Sequence, residues 1–285
     1  MTLLLRALLA FALCVSVAAN SSAANAQRIV SLAPNLTEIA FAAGAGTNVV
    51  GTVEYSDYPE AARSIPRVGD AFRVDFERLV ALRPDAVLTW EPGTPQGVVQ
   101  RLRDLHMNVV TIKTHTLADV GHAVRALGAL AGTQGIAEPA AQKYESEIAQ
   151  LRNEFSQKQP IGVFLQIGDR PLYTVNGRQI MSEVLAVCGG RNVFGDLNEL
   201  APQIGVEAVI AANPDVILSA SDSQSEGLSQ WERWPQLNAV RSHNLYRLAA
   251  NDLARSTPRL AQGTRDVCRT LETARERLRK LQSQR

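Results

Sequence analysis

The side chains that could carry catalysis or a metal are few and badly spaced for either task. His106, His115, His122 and His243 are scattered through the 285 residues, and no H-E-x-x-H, G-x-S-x-G or P-loop pattern accompanies them. They read as surface residues or as supports behind a contact, with His115 and His243 the two that could touch a ligand. Gly44-Ala-Gly46-Thr-Asn-Val-Val-Gly51 has the glycines of a dinucleotide fingerprint. It follows a predicted helix and precedes a predicted strand, the reverse of the order that cradles a pyrophosphate. The chain therefore reads as a non-enzyme, with no cofactor and no metal of its own. What remains is binding chemistry. Polar and aromatic residues gather at predicted strand ends: Ser31 to Asn35, Tyr55 to Pro59, Phe72 and Trp90 in the first half, then Gln166 to Gly168, Tyr173, Trp231, Trp234 and Asn251 to Arg255. Aromatic residues make up 5% of the chain, so their concentration there points to a flat ligand bound by stacking and burial. Tyr58, Trp231 and Trp234 can equally be read as loop anchors.

Alternating strands and helices position these residues. In the first half, strands are expected over 28–32, 48–52, 85–89 and 108–112, with helices over 36–43, 76–82, 94–105 and 117–131. In the second half, strands are expected over 161–166, around Tyr173, over 216–219 and over 245–248, with helices over 179–187, 206–212 and 256–281. Such alternation implies parallel sheets with helices on both faces, and open sheets of this kind bind ligands beyond their strand C-termini.

Between the halves, Ala137, Ala140, Ala141, Tyr144, Ile148, Leu151 and Phe155 recur three or four apart, the mark of one amphipathic helix. With Thr133 as its expected N-cap and Pro160 as its stop, it spans about 35 Å. The halves themselves look related. Asp75-Phe-Glu-Arg-Leu-Val-Ala-Leu-Arg-Pro-Asp-Ala-Val-Leu88 parallels Gly205-Val-Glu-Ala-Val-Ile-Ala-Ala-Asn-Pro-Asp-Val-Ile-Leu218, and Thr37 to Gly44 parallels Ser182 to Gly189. Two pairs in the same order imply two similar lobes, each a parallel sheet flanked by helices, bridged by one long helix. The expected division is a leader over 1–26, lobes over 27–132 and 161–285, and the bridge over 133–160.

The leader has Arg6, an apolar run over 8–17 and an Ala24-Asn25-Ala26 cleavage signal, so the mature protein is expected to be exported. Cys14 leaves with it. Cys188 and Cys268 remain, and an even number of cysteines in an oxidising compartment suggests a disulfide, with two buried thiols as the alternative. A formal net charge of +1 implies no nucleic-acid partner.

Arg28-Ile-Val-Ser-Leu-Ala-Pro-Asn, Tyr55-Ser-Asp-Tyr-Pro, Glu77-Arg-Leu-Val-Ala-Leu-Arg-Pro-Asp, Phe164-Leu-Gln-Ile-Gly and Leu185-Ala-Val-Cys-Gly-Gly-Arg-Asn-Val-Phe together resemble the periplasmic cobalamin-binding proteins of bacterial ABC importers, from Arg28 to about Leu278. That resemblance implies a helix-bridged solute-binding fold that bends little, a Cys188–Cys268 disulfide, and a monomer that delivers cobalamin or a related corrinoid to a permease dimer. It places ligand contacts on Tyr55, Trp90, Asn251, Asp252, Leu253, Ala254 and Arg255, and permease-docking acids on Glu77 and Glu207. The chain also departs from the family. A tryptophan expected near 71 is Ala71 followed by Phe72, which joins the expected contacts; another expected before Pro202-Gln203 is Ala201; and an aspartate expected at 251 is Asn251. Within the same fold the rival ligands are haem, which favours a Tyr or His axial ligand, and ferric siderophores, which favour convergent arginines.

Overall fold

The computed structural model describes residues 25–70, 72–220 and 227–283. The expected apolar leader run, Cys14 and Ala71 lie outside the described residues. In the first half the order is β1 (Ile29–Ser31), α1 (Pro34–Ala42), β2 (Val49–Gly51), α2 (Phe76–Ala81), β3 (Ala86–Glu91), α3 (Gln96–Asp104), β4 (Val109–Lys113) and α4 (Leu117–Ala131). Helix α5 (Gln134–Phe155) then leads to β5 (Ile161–Gln166), β6 (Gly168–Asp169), β7 (Leu172–Tyr173), α6 (Ile180–Val187), β8 (Gly190–Asn192), α7 (Val206–Ala212), β9 (Val216–Ser219), α8 (Asn238–Arg241), β10 (Leu245–Arg247), α9 (Ala250–Leu253) and α10 (Leu260–Ser283). The strands form two four-stranded sheets ordered β2-β1-β3-β4 and β10-β9-β5-β8, with β6 and β7 as a small antiparallel pair. Every pairing in the two larger sheets is parallel.

The two sheets are the same sheet twice. Matching β1 with β5, β2 with β8, β3 with β9 and β4 with β10 superposes both strand orders, so β8, which the sequence reading missed, is the second counterpart of β2. The repeated Pro-Asp has a physical role in each copy. Asp85 Oδ2 accepts the N–H groups of Gln27 and Arg28 at 2.9 and 2.8 Å, and Asp215 Oδ2 accepts that of Gly162 at 2.9 Å. Each carboxylate thus pins the start of a central strand. Gly44 and Gly189, which close the other repeated helix, both have positive φ, a conformation that favours glycine. At Gly44 a Cβ would also lie 2.8 Å from Ile136 of α5, so its absence lets the bridging helix pack closely.

Alternate strand residues feed opposite faces, as the period of two requires. Ile29, Ala86 and Leu88 join a core with α1, α4 and α5, while Val30 and Val87 join one with Leu79 and Leu102 on the far face. In the second sheet Val163, Leu165, Val216 and Leu218 face one core, and Phe164 and Ile217 the other. Leu117 and Val120, from the start of α4, belong to the core of the second sheet along with Tyr144, Ile148 and Leu151 of α5. The start of α4 therefore packs with the bridging helix α5 against the second half.

At two helix starts a hydroxyl finds its partner outside its own helix. Thr133 is the N-cap residue of α5, as expected, but its hydroxyl donates to the Ala43 carbonyl at 2.6 Å and bonds no N–H in the first turn of its own helix. The C-terminal helix starts at Leu260 rather than Ser256, because Ser256 and Thr257 are buried and the Thr257 hydroxyl donates to Glu38 at 2.6 Å. Cys188 at the end of α6 is disulfide-bonded to Cys268 within α10, across 80 positions. Closing so long a loop restricts the unfolded chain, so Cys188→Ala with Cys268→Ala should lower the unfolding free energy by about 2–5 kcal/mol, read as a lower urea midpoint. Thiol titration of the denatured, unreduced protein without its leader should find no free sulfhydryl.

Candidate ligand-binding site

The two sheets meet by their carboxyl edges. Three contacts between the halves each join segments that leave strand C-termini. Behind β1, Glu38 on α1 accepts bonds from Arg259 Nε at 2.7 Å, Arg259 Nη2 at 2.9 Å and the Thr257 hydroxyl at 2.6 Å. Beyond β2, Asp57 pairs with Arg255 at 2.8 Å. Beyond β4, the Leu117 N–H donates to Glu183 of α6 at 2.7 Å. Glu38 is 3% exposed, and an isolated carboxylate there would be strongly disfavoured without a matched guanidinium. Arg259 is braced further by Asp252 at 2.7 Å and by stacking 4.2 Å from the centre of the Tyr58 ring. Its hydrogen bonds with Glu38 raise its affinity for its proton. Burial works against ionisation of Asp57, but the hydrogen bond and charge of Arg255 prevail and hold its carboxyl below the ordinary range.

On this edge of the first sheet two rings stand out in solvent. Tyr55 is 77% and Phe72 74% exposed. Tyr55 has φ +64°, a left-handed conformation that costs about 1–2 kcal/mol in a non-glycine residue. Its loop is held by a buried hydroxyl cluster: Thr37 Oγ1 lies 2.6 Å from Thr52 Oγ1 and donates to Ser31 Oγ at 2.9 Å, and Thr52 donates to Ser56 Oγ at 2.8 Å. Arg67 clasps the Ser56 carbonyl at 2.9 Å. The neighbouring loop turns on Asp70, whose Oδ1 accepts the N–H groups of Phe72 and Arg73 at 2.7 and 2.8 Å and so presents the Phe72 ring. Those bonds keep the Asp70 carboxyl below its usual range. The loops are joined by the Glu54 N–H to the Gly69 carbonyl at 2.9 Å. Trp90, at the end of β3, is half-buried with Nε1 donating to Thr114 at 2.8 Å.

The second half offers a different surface. Its counterpart of the Tyr55 loop follows β8 and exposes Leu197 and Leu200. It is strapped down by Asn176, whose Nδ2 donates to the Leu197 carbonyl at 2.9 Å and whose N–H donates to that of Leu200 at 3.1 Å. Ala201, the residue that follows, is exposed and has no ring to offer. Not every residue gathered at the predicted strand ends reaches this surface. Trp231 is fully buried, edge-on to Phe164, with Nε1 bonded to Gln166 at 2.7 Å. Gln166 is thereby a core residue too. In the expected contact segment, Leu253 is 1% exposed and packs in the core, so its side chain offers no ligand surface. Asp252 is engaged by Arg259, Arg255 by Asp57, and Ala254 is exposed. Asn251 lies in α9. His243 sits in a left-handed turn before β10, at the opposite end of the sheet, and cannot reach this edge; His115 is exposed on the near side. No group of three or more metal-binding side chains occurs among the described residues.

A concavity of about 470 Å³ opens beside the seam, lined by Phe41, Tyr58, Lys143, Glu147 and the Glu38–Arg259 pair. Tyr55, Phe72 and Trp90 do not line it, so it is separate from the aromatic surface. Glu77 and Glu207 occupy the first turns of α2 and α7 and are both exposed. Each helix runs back along its lobe into the strand after it, so its N-terminus lies level with the carboxyl edge of its sheet. Nothing in the sequence shows that Glu38 and Arg259 pair, and Asp57 is marked there only as part of the Tyr55 to Pro59 stretch, not as a partner of Arg255. The available signal was Glu38 itself, a lone acid in the apolar run Ile39-Ala-Phe-Ala-Ala.

Two α/β halves meeting edge to edge across a ring-bearing surface define a two-lobed solute-binding protein, and the chain belongs to the periplasmic binding protein family, whose model matches residues 29–251. The relatives narrow the comparison. The vitamin B12-binding protein of Vibrio cholerae serotype O1 is 33% identical over 252 residues, 88% of this chain and 91% of its own. That of Yersinia pestis is 32% identical over 248 residues, 86% of each chain. The solved periplasmic vitamin B12 binding protein BtuF of Vibrio cholerae has a TM-score of 0.82 at 33% identity, covering 88% of this chain and 98% of its own. A periplasmic haem-binding protein from Pseudomonas aeruginosa reaches 0.73 at 26% identity, covering 85% and 91%.

The clamp gives a contrast that denaturation can read. Glu38→Ala leaves Arg259 without its buried partner and should lower stability by about 3 kcal/mol or more. Asp57 is half exposed, so Asp57→Ala should change it by less than about 1 kcal/mol. The sign with pH follows from the depressed Asp57 carboxyl: the contribution of its pair is present above the ordinary value of 3.8 and lost as pH falls further.

Proposed function

We propose that this protein captures cobalamin or a related corrinoid in the periplasm and delivers it to an ABC transporter. The observation that carries the reading is the pair of exposed rings, Tyr55 and Phe72, held out by braced loops at the carboxyl edge of a fold shared with vitamin B12-binding relatives. A large flat ligand would cover those rings and Trp90 on one side and the Leu197–Leu200 loop on the other. Ala201 widens the second side where a larger ring is expected, and Ala254 and Arg255 border it. The lobes over 27–132 and 161–285, joined by the segment 133–160, would act as a monomer without large closure. Glu77 and Glu207 would dock on a permease dimer: equivalent carboxylates on equivalent helices suit a two-fold partner.

The test is calorimetric titration with cyanocobalamin, haem and a ferric siderophore. Tight cyanocobalamin binding is expected, and Tyr55→Ala or Trp90→Ala should weaken it by about 1–3 kcal/mol. Haem binding without cobalamin binding would reject the corrinoid assignment. For docking, Glu77→Ala with Glu207→Ala should leave affinity and melting temperature nearly unchanged and cut uptake through the cognate transporter. Full uptake by the double variant would show that these acids do not dock.

A further inference from the structure

Helix α1 begins at the place where the first sheet reverses its strand order. The chain leaves β1 for β2 on one side and returns to β3 on the other, which puts the α1 N-terminus at the crevice where open α/β sheets take ligands. Tyr55 follows β2 and Trp90 ends β3, so α1 emerges between the two. This terminus carries no cap from its own segment. Ala33 precedes it in extended conformation, no side chain caps it, and Pro34 opens it without an N–H. The first intrahelical bond shown is from the Thr37 N–H to Ala33 at 3.1 Å, leaving the N–H groups of Asn35 and Leu36 ahead of it.

A second observation points the same way. Asn35, in this first turn, is 5% exposed, and its Nδ2 has no hydrogen-bond partner among the described residues. Helical side chains lean towards the N-terminus, so this carboxamide is directed at the strand-end crevice. A buried amide without a partner is disfavoured, and native structures keep such groups where something else satisfies them. An aliphatic residue of similar size would fill the space without that penalty.

Resting on the corrinoid reading, we propose that Asn35 is a specificity-determining residue that donates from Nδ2 to the carbonyl of a peripheral carboxamide of the bound ring. The chemistry selects an amide. Asn35 Oδ1 accepts the ligand's amide N–H while Nδ2 donates to its carbonyl, a reciprocal pair that neither an ester nor a carboxylate completes. A site built to hydrogen-bond a polar edge discriminates against the analogue that leaves it unpaired.

The experiment compares dicyanocobinamide, whose ring edge carries carboxamides, with dicyanocobyrinic acid, whose edge carries carboxylic acids, on the wild type, Asn35→Leu and Asn35→Ala. The wild type should prefer cobinamide by about tenfold or more, and Asn35→Leu should weaken cobinamide about tenfold while leaving cobyrinic acid within about twofold. Melting of the unliganded Asn35→Leu protein should be no lower than wild type, which separates lost recognition from lost folding. Asn35→Ala, smaller and free of any clash, should show the same collapse of the preference. An unchanged preference in both variants, with cobinamide still bound, would overturn the role of Asn35 and leave the corrinoid reading standing. Failure of the wild type to bind either corrinoid would overturn both.

Discussion

One buried carboxylate sets the relation between the two halves. Glu38 is buried on α1 just ahead of the apolar run Ile39-Ala-Phe-Ala42, where a negative charge survives only if the opposite half delivers a cation and a hydroxyl to it. Arg259 and Thr257 do so, and Arg259 is itself fixed by Asp252 and the face of Tyr58. The geometry is demanding on both sides, since a shift of an ångström would leave charged groups facing low dielectric. The cleft edges are therefore held in place before any ligand arrives, and binding need not supply the free energy of a large closure.

Within that frame the halves are alike in structure and unlike in surface. Strand order, the strand-pinning aspartates Asp85 and Asp215, and the positive-φ glycines Gly44 and Gly189 recur. Even His106 and His243 occupy matching left-handed turns before β4 and β10. The loops that follow the equivalent strands β2 and β8 have diverged, one presenting Tyr55 and the other Leu197 and Leu200. The repeat builds the frame, and loop divergence gives it two different faces.

The sequence was most informative where local pattern decides the outcome. Helical spacing located α5, and the Pro-Asp repeat located β3 and β9, because each depends on neighbours within a turn or two. Strand β8 was missed since Gly190-Arg191-Asn192 has no apolar alternation; only its pairing with β5 makes it a strand. Trp231 reads from the sequence as either a strand-end contact or a loop anchor, because its short helical turn has no apolar pattern of its own; its ring fills the core behind Phe164. Glu38 and Arg259 are 221 positions apart, and no local rule links residues so distant. The exposure of Tyr55 and Phe72 rests likewise on hydroxyl and Asx-type bonds that composition alone does not reveal.

The core shared by the two halves has a consequence for how the fold could have arisen. Leu117 and Val120 belong by chain order to the first half and by packing to the second. Either half, expressed alone, would expose an apolar strip along α4 or leave a hollow beside Ile180 and Val184. An ancestral single copy would have met the same difficulty and could have covered the strip by pairing with its twin. Fusion of the genes would then have made a symmetric dimer into one chain, after which each copy lost the capacity to live apart.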